Sequence, residues 1–558
     1  MSGTVLENLS NRKLGVLTVS LLLAQMVFFL IGGLIAPAPN NVQVLLATKC
    51  VDEGSSALTQ QRKWFYPRGE GNCNRVSTLD DPYIIDNHIT ADHIVFSLQF
   101  PNPMEGTREP DMVRWFQYMV GVMMLDIAYQ KHNPMIEKPL LGLDLRLGYR
   151  DIGDKPGDWK ELAHASETRT MDCSLDEQFK EDGYNYNCSM LPLYEYGAVH
   201  HNFYLINIRL PITGVTDNKN YGIGTLKDIW VIVIHQNGGF TKVWYSTKTV
   251  VTPILIGIII WFWRRVKQLP RPPVLLEKML LGLGVVLVIN NIPIEWLTLW
   301  MELPFMLLLS DIKQGVFFSL LLCFWIIFAG EHLMDDVERN RLVAYWKHLA
   351  AVMFGCLCMF IFDMCERGVQ LRNPFYSIWA TDLGTNLAYS FIIIAGICAC
   401  LYFILLCWMV FKVFRNITFK RGSLPSMPSK RRAYYEGIIY RFKFLMLITL
   451  LCAALTVIFF IVSQVAEGHW KWGEDLSEER SKLEYTSAFY VGAYGMWNVY
   501  VFALLCLYAP SHKYGAPALI VDGDGEGEEI ATNEEIEFSR LPSEVSQLTA
   551  FVKKTAAD

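Results

Sequence analysis

The stretch WLTLWMELPFMLLLSD, residues 296–311, decides the fold, because counting it as a membrane crossing or not sets the side of every loop after it. A spanning helix needs about 20 mostly apolar residues at 1.5 Å each. This stretch is shorter than that, and Glu302 and Pro304 punctuate it. It is read as a hydrophobic loop, interfacial or re-entrant, on the same side as the end of the span before it.

Eight other segments are long enough to cross: 14–36, 247–263, 274–295, 313–331, 348–365, 385–411, 441–464 and 487–508. Basic residues then orient them. Arg12 and Lys13 precede the first span, RRVKQLPR follows the second, ERNRLVAYWK follows the fourth, and KVFRNITFKRGSLPSMPSKRRAYYEG separates the sixth from the seventh. With eight crossings all of these fall on the cytoplasmic side, and both termini lie there too. A ninth crossing at 296–311 would invert the later loops and place KRRAYYEG outside. The first span has an apolar core longer than the 7–15 residues of a signal peptide, which favours a retained anchor. The small residues of LIAPAP leave cleavage open.

Composition agrees with a membrane protein. Of 558 residues, 52% are hydrophobic and 19% charged, with mean hydropathy +0.24; soluble chains carry about a quarter charged residues. The net charge of -6 gives no sign of nucleic-acid binding. The expected organisation is a cytoplasmic segment 1–13, a first transmembrane helix 14–36, a luminal domain 37–245, a seven-helix bundle 247–508, and an acidic tail 509–558 whose DGDGEGEEIATNEEIEF composition suits disorder.

Within 37–245 the apolar positions alternate in DHIVFSLQF, LGLDLRLGYR, FYLINIRLP and DIWVIVIHQ, the period-two signature of half-buried strands. HQNGGFTKVW reads as a hairpin tip through its Asn-Gly-Gly turn. MVRWFQYMVGVMMLDIAYQ fits either a helix or one or two long strands. The whole suggests an antiparallel β-sandwich. In a secretory lumen Cys50, Cys73, Cys173 and Cys188 form disulfides, and four cysteines allow three pairings. Asn187-Cys188-Ser189 is a glycosylation sequon on the luminal side, whereas those at Asn8 and Asn416 face the cytoplasm.

The polar residues inside apolar runs are the candidates for function. Asn290, Asn291, Pro293, Glu295 and Trp296 lie in VLVINNIPIEW, and Asn or Glu facing lipid would lose its water partners, so these face the bundle interior or an aqueous opening. Pro293 removes a backbone donor and bends the helix. They serve either as a polar notch at a cavity mouth or, more simply, as ties between adjacent helices. Asp363, Glu366 and Arg367 in DMCERG form a second group, either a local ion-pair network or a client contact. Glu331 and His332 close the fourth span and suit a loop arginine. Cys356, Cys358, Cys398 and Cys400 are read as packing residues rather than metal ligands. No Ser-His-Asp arrangement, phosphate loop or zinc-protease helix is evident, and the lone His235 and His469 are read as structural, so neither an enzyme nor a cofactor is expected. Tyr435-Glu436-Gly437-Ile438 fits the tyrosine-x-x-bulky pattern of an endocytic signal, or else begins the apolar face leading into IIYRFKF.

FLIGGLIAP, CVD, KWF, IHQNGGFTKVW, RPPVLLEK, NNIPIEW, FWIIFAGEH, FIFDMCERGVQLRNPFYSIW, RFKFLMLIT and SQVAEGHWKWG occur in this order, and through them the chain resembles the Wntless family over nearly its whole length. The resemblance implies a luminal sandwich similar to a GOLD domain and a bundle similar to the seven-helix receptor fold. It further implies a carrier of palmitoleoylated Wnt proteins whose acyl chain enters a lumen-open transmembrane cavity. It implies recycling through clathrin adaptors and retromer, with Tyr435–Ile438 as the retrieval signal, and residence in endoplasmic reticulum, Golgi, plasma membrane and endosomes. No nucleic-acid partner is implied; membrane lipids are. A seven-helix signalling receptor is the alternative, and a transporter is weaker because no internal repeat is detectable.

Overall fold

The computed structural model describes residues 4–52, 64–65, 73–78, 81–87, 89–103, 110–175, 180–212, 219–331, 342–421, 429–472 and 486–511. His332 and the tail from 512 onward lie outside these.

Alternating apolar residues build two facing antiparallel sheets. One holds β1 (Asn40–Leu46), β12 (Thr225–Gln236), β5 (Met119–Ala128) and β10 (Leu191–Tyr196) in that order. The other runs β3 (Asn74–Arg75), β2 (Thr48–Val51), β4 (Ile94–Phe100), β11 (Phe203–Arg209), β6 (Leu140–Arg150) and β7 (Lys160–Thr170). Every second residue of β6, from Leu141 to Leu147, points between the sheets to meet Ile229, Val231 and Val233 of β12. All four alternating segments read from sequence are strands here, and the ambiguous 112–130 stretch resolves into a short 3₁₀ turn, Arg114–Phe116, followed by β5.

The disulfides are Cys50–Cys73 and Cys173–Cys188. The second joins directly opposed residues of β8 (Cys173–Ser174) and β9 (Asn187–Cys188), a two-residue ladder too short to persist unaided. Closing a loop of this length restricts the unfolded chain by about 3 kcal/mol. Asn187 sits on this ladder, exposed to solvent.

The hairpin expected at HQNGGFTKVW is corrected. β12 runs straight into a helix beginning at Gly238, with Asn237 as its N-cap accepting the Gly239 N–H at 2.8 Å. The two glycines are there for close approach rather than for a turn. A Cβ on Gly238 would stand 3.0 Å from Cβ of Trp115, and one on Gly239 would stand 2.9 Å from Pro37. Residues 238–245 are therefore the opening turns of a 30-residue helix, not the end of the sandwich.

Among the described residues eight helices are long and apolar enough to cross a membrane. They are α1 (Asn11–Leu30, continued by a wider turn to Ile35), α2 (Gly238–Lys267), α3 (Leu275–Asn291), α4 (Met306–Glu331), α5 (Trp346–Gln370), α6 (Asp382–Arg421), α7 (Ser429–Trp472) and α8 (Thr486–Tyr508). Their ends alternate as eight crossings require. The Ser487 hydroxyl donates to Pro37 O and Arg114 to Leu299 O, so the end of α1, the start of α8 and the α3–α4 connection meet on the sandwich side. On the far side Val5 N–H donates to Ala509 O. The decisive 296–311 stretch does not cross: a 3₁₀ helix, Ile294–Leu299, leads to a bend, and α4 starts at Met306. Trp300, Met301 and Phe305 stay exposed there, as suits a membrane boundary.

The connection from α5 to α6 reaches up and inserts Phe375, wholly buried, into the core between the two sheets. Arg169, itself buried, donates to Phe375 O at 2.6 Å and Pro192 O at 2.8 Å, and Pro374 O accepts the Glu195 N–H on the edge of β10. Phe375→Ala should cost about 3–5 kcal/mol of stability, as an emptied aromatic site does. The change reads out as a lower Tm; an unaltered Tm would mean the loop contributes nothing to the core.

Candidate functional site

Polar side chains gather where α2, α3, α4 and α8 meet beneath the sandwich. Pro293 ends α3 and turns the chain into the 3₁₀ helix that carries Glu295 inward. Glu295 Oε1 accepts from Lys248 Nζ of α2 at 2.9 Å and from Lys313 Nζ of α4 at 3.1 Å, all three side chains being buried. One turn deeper, wholly buried Asn291 donates to Asn498 Oδ1 of α8 at 2.5 Å, while its backbone carbonyl accepts from Thr252 of α2. In a low-dielectric surround a lone charge here would be prohibitive, so the three ions persist only as a set. Trp296 sits at the margin, its indole N–H on Thr249 Oγ1 at 3.0 Å, and Asn290 is half-buried.

A second polar tie holds the other side. Arg367 of α5 pairs with Glu195 of β10 and lies 3.4 Å from Asp311 of α4. Gln370 donates to Glu195 Oε2 at 3.0 Å, and Asn373 to Glu167 Oε1 at 2.7 Å. Glu366, next to Arg367, is buried, and Asp363, one turn back, is half-buried, each with further partners of its own. Arg367 of DMCERG thus pairs outside its own helix, with β10 and α4. On the far side Glu331 accepts from Tyr345 OH at 3.4 Å, and the loop arginines expected beside it lie outside the described residues.

Between these ties the bundle is unevenly packed. Of each helix's apolar window, 67% is buried in α8 and 56% in α4, but 17% in α6 and 6% in α5. In α4 every residue from Cys323 to Glu331 is buried, so the far half is closed on all sides. It is sealed by Trp325 donating to Tyr500 OH, which donates to Thr449, and by Trp497 donating to Thr456. Phe317, Phe318 and Trp497 lie across the top of this seal, Phe318 and Trp497 edge to face at 4.9 Å. Level with them and below, the face of α5 that carries Val352, Cys356 and Met359 is half-buried, and Val352 packs on the far-side core. Phe317, Phe318 and Trp497 thus form an aromatic floor roughly 17 Å below the start of α4 at 1.5 Å per residue.

Sequence reasoning found the acids and amides but missed their partners. Lys248 and Lys313 were visible as lysines at the ends of apolar runs; Glu195, Arg169 and Phe375 gave no such signal. The structure joins Asn291 and Glu295 to one tie and Arg367 to another, and does not bring the two groups together. Glu436–Ile438 lie in the first turns of α7, with Ile438 buried.

A histidine is also buried between sandwich and bundle. His200 is buried beside Gln117, Gly197, Thr298 and Leu303, with no partner for Nδ1 among the described residues. Burial pushes its imidazole below the ordinary 6.5, opposed by Glu302 and reinforced by Arg114 and His201.

The family model described as "Wntless-like, transmembrane domain" matches residues 237–512, and that described as "Wntless, GOLD domain" matches residues 48–236. The Protein wntless homolog of Gallus gallus is 49% identical over 554 residues, covering 98% of this chain and 99% of its own. That of Homo sapiens is 49% identical over 555 residues, with the same coverage. Protein wntless of Drosophila mojavensis is 49% identical over 576 residues, covering 100% of both.

Glu295→Gln leaves two buried lysines without a counter-charge and should cost about 3–5 kcal/mol, whereas replacing all three ions with apolar residues of like volume should cost far less. Chemical denaturation of both variants checks this; equal losses would show that the charges are not coupled. His200 docks neutral, so its contribution is complete above pH 6.5 and falls as protons are taken up first by the undocked state. The wild-type Tm should therefore drop more than that of His200→Gln between pH 7.5 and 5.5, and parallel curves would remove His200 from the interface's acid response.

Proposed function

The chain belongs to the Wntless family, and from that premise we propose that it is a carrier that binds lipid-modified Wnt proteins in the secretory pathway and escorts them to the surface. The family is one of cargo carriers and not of enzymes. The sandwich faces the lumen, both termini are cytoplasmic, and the protein circulates among endoplasmic reticulum, Golgi, plasma membrane and endosomes. Asn187, luminal and exposed, takes a glycan.

The observation that carries this reading is the family match over nearly the whole chain; the acyl chain is assigned to the sandwich side of the aromatic floor of Phe317, Phe318 and Trp497, beside the thinly buried α5 and α6. A sixteen-carbon acyl chain buried there gains on the order of 10 kcal/mol gross at about 0.8 kcal/mol per CH₂. That holds a lipidated client without telling one client from another. Discrimination falls to the sandwich and its loops, which meet the protein part. Asn291 and Glu295 keep one wall rigid and Arg367 hangs the movable wall from β10, so both groups shape the mouth rather than grip the lipid. Asn290, Pro293, Trp296, Asp363 and Glu366 border the same mouth.

Tyr435-Glu436-Gly437-Ile438 returns the empty carrier by endocytosis through clathrin adaptors, and retromer retrieves it. The signalling-receptor alternative loses ground at the far end of the bundle, where a transducer would insert. Buried Leu6 joins the far-side core there and fills that place.

Copurification tests the carrier reading. An acylated client should be recovered with the protein, and recovery should fall at least about tenfold when the client's acylated serine becomes alanine, the loss of only a fraction of the burial energy sufficing. Equal recovery of both forms would remove the lipid from recognition. Tyr435→Ala should raise the surface pool and leave client recovery intact; an unchanged internalisation rate would remove the sorting role.

A further inference from the structure

Residues 4–9 do more than precede α1. Thr4 bridges to Pro510 and Val5 N–H donates to Ala509 O at 2.9 Å, so the segment is stitched to the end of α8. Arg265 of α2 adds a bond to Pro510 O at 3.3 Å. Glu7 Oε2 accepts the Thr4 N–H at 3.1 Å and holds the turn. Thr4, Leu6 and Glu7 are all buried. From α7, Arg441 donates to Leu6 O at 3.0 Å and Glu7 O at 3.2 Å, and pairs with Asn11. Arg441 stands one turn beyond Ile438, on the same side of the helix. Leu6 and Ile438 belong to one buried cluster with Ile439, Phe442 and Tyr508.

An adaptor that reads a tyrosine-x-x-bulky sequence must hold the bulky side chain in its own pocket. Ile438 is 3% exposed, so it is not available for that in this state. Arg441 ties the clasp to the stretch that carries Ile438 using three acceptors, all of them on residues 6–11.

We propose that residues 4–9 and the adaptor compete for the start of α7: with the clasp closed the bulky position of the signal is covered, and with it open the first turns of α7 unwind and present Tyr435 and Ile438. The proposal rests on the sorting role given to Tyr435–Ile438 above and adds its control. Opening breaks charge-assisted bonds from one guanidinium and exposes Leu6, so single changes shift the balance between the two states. Gly437 near the start of the turn eases unwinding, since glycine is a weak helix former.

The test uses the full chain in lipid nanodiscs, the adaptor subunit that binds tyrosine-based signals, and the linear peptide of residues 430–440 as reference. The peptide should bind about fivefold or more tighter than the wild-type chain, the difference being the cost of opening. Leu6→Asp and the milder Arg441→Gln should each recover most of that difference, Arg441→Lys should recover less than Arg441→Gln, and adding Tyr435→Ala should abolish binding in all of them. A chain that binds as well as the peptide, or variants that bind no better than wild type while keeping its Tm, would overturn the clasp. A peptide that does not bind would instead bring down the sorting role itself, and the clasp's control with it.

Discussion

Two lysines share one carboxylate inside the bundle, and the rest of the architecture is arranged around that arrangement. Glu295 receives Lys248 and Lys313 on a single oxygen. None of the three can be buried alone, because taking one ion from water costs several kcal/mol after relaxation and only mutual attraction offsets it. The set therefore obliges α2, the end of α3 and α4 to keep one geometry. The Asn291–Asn498 bond extends the obligation to α8, and α1 packs on α8 in turn. Five helices become one rigid wall. α5 joins it on the sandwich side through Arg367 and Asp311, although little of the apolar windows of α5 and α6 is buried.

The movable wall is nevertheless not free. It hangs from the sandwich by the α5–α6 connection, whose Phe375 is a core residue of another domain and whose Arg367 shares Glu195 with Gln370. Displacing the sandwich thus moves the top of α5, and spreading α5 strains the β10 edge. His200 is buried at a different contact, beside Gln117 and Thr298. Since the rigid wall carries the other sandwich contacts, through Arg114 and Thr298, the sandwich is held at two points of unequal stiffness.

Much of this was legible in the chain and some was not, for physical reasons. The spans follow from apolar length, and the refusal of WLTLWMELPFMLLLSD to cross follows from its length, Glu302 and Pro304. The strands follow from alternation. Asn237-Gly238-Gly239 misled because Asn-Gly serves a hairpin and a helix cap alike, and the choice is made by Trp115 and Pro37, which are distant in sequence. The pairing of cysteines depended on a ladder of two residues that carries no period. Asn291 and Glu295 announced themselves as polar atoms in hydrocarbon, but the identity of their partners is tertiary. Phe375 looked like any apolar residue in a boundary loop, and only the packed sandwich shows that it belongs to a core.

The central claim is that a client's acyl chain lies inside the bundle, on the sandwich side of the aromatic floor. A density map of the carrier bound to an acylated client tests it most directly. An elongated feature continuous with the client, descending among α4 to α8 and ending above Phe317, Phe318 and Trp497, is the predicted result. The same feature lying on the outer, lipid-facing surface of the helices would contradict the account.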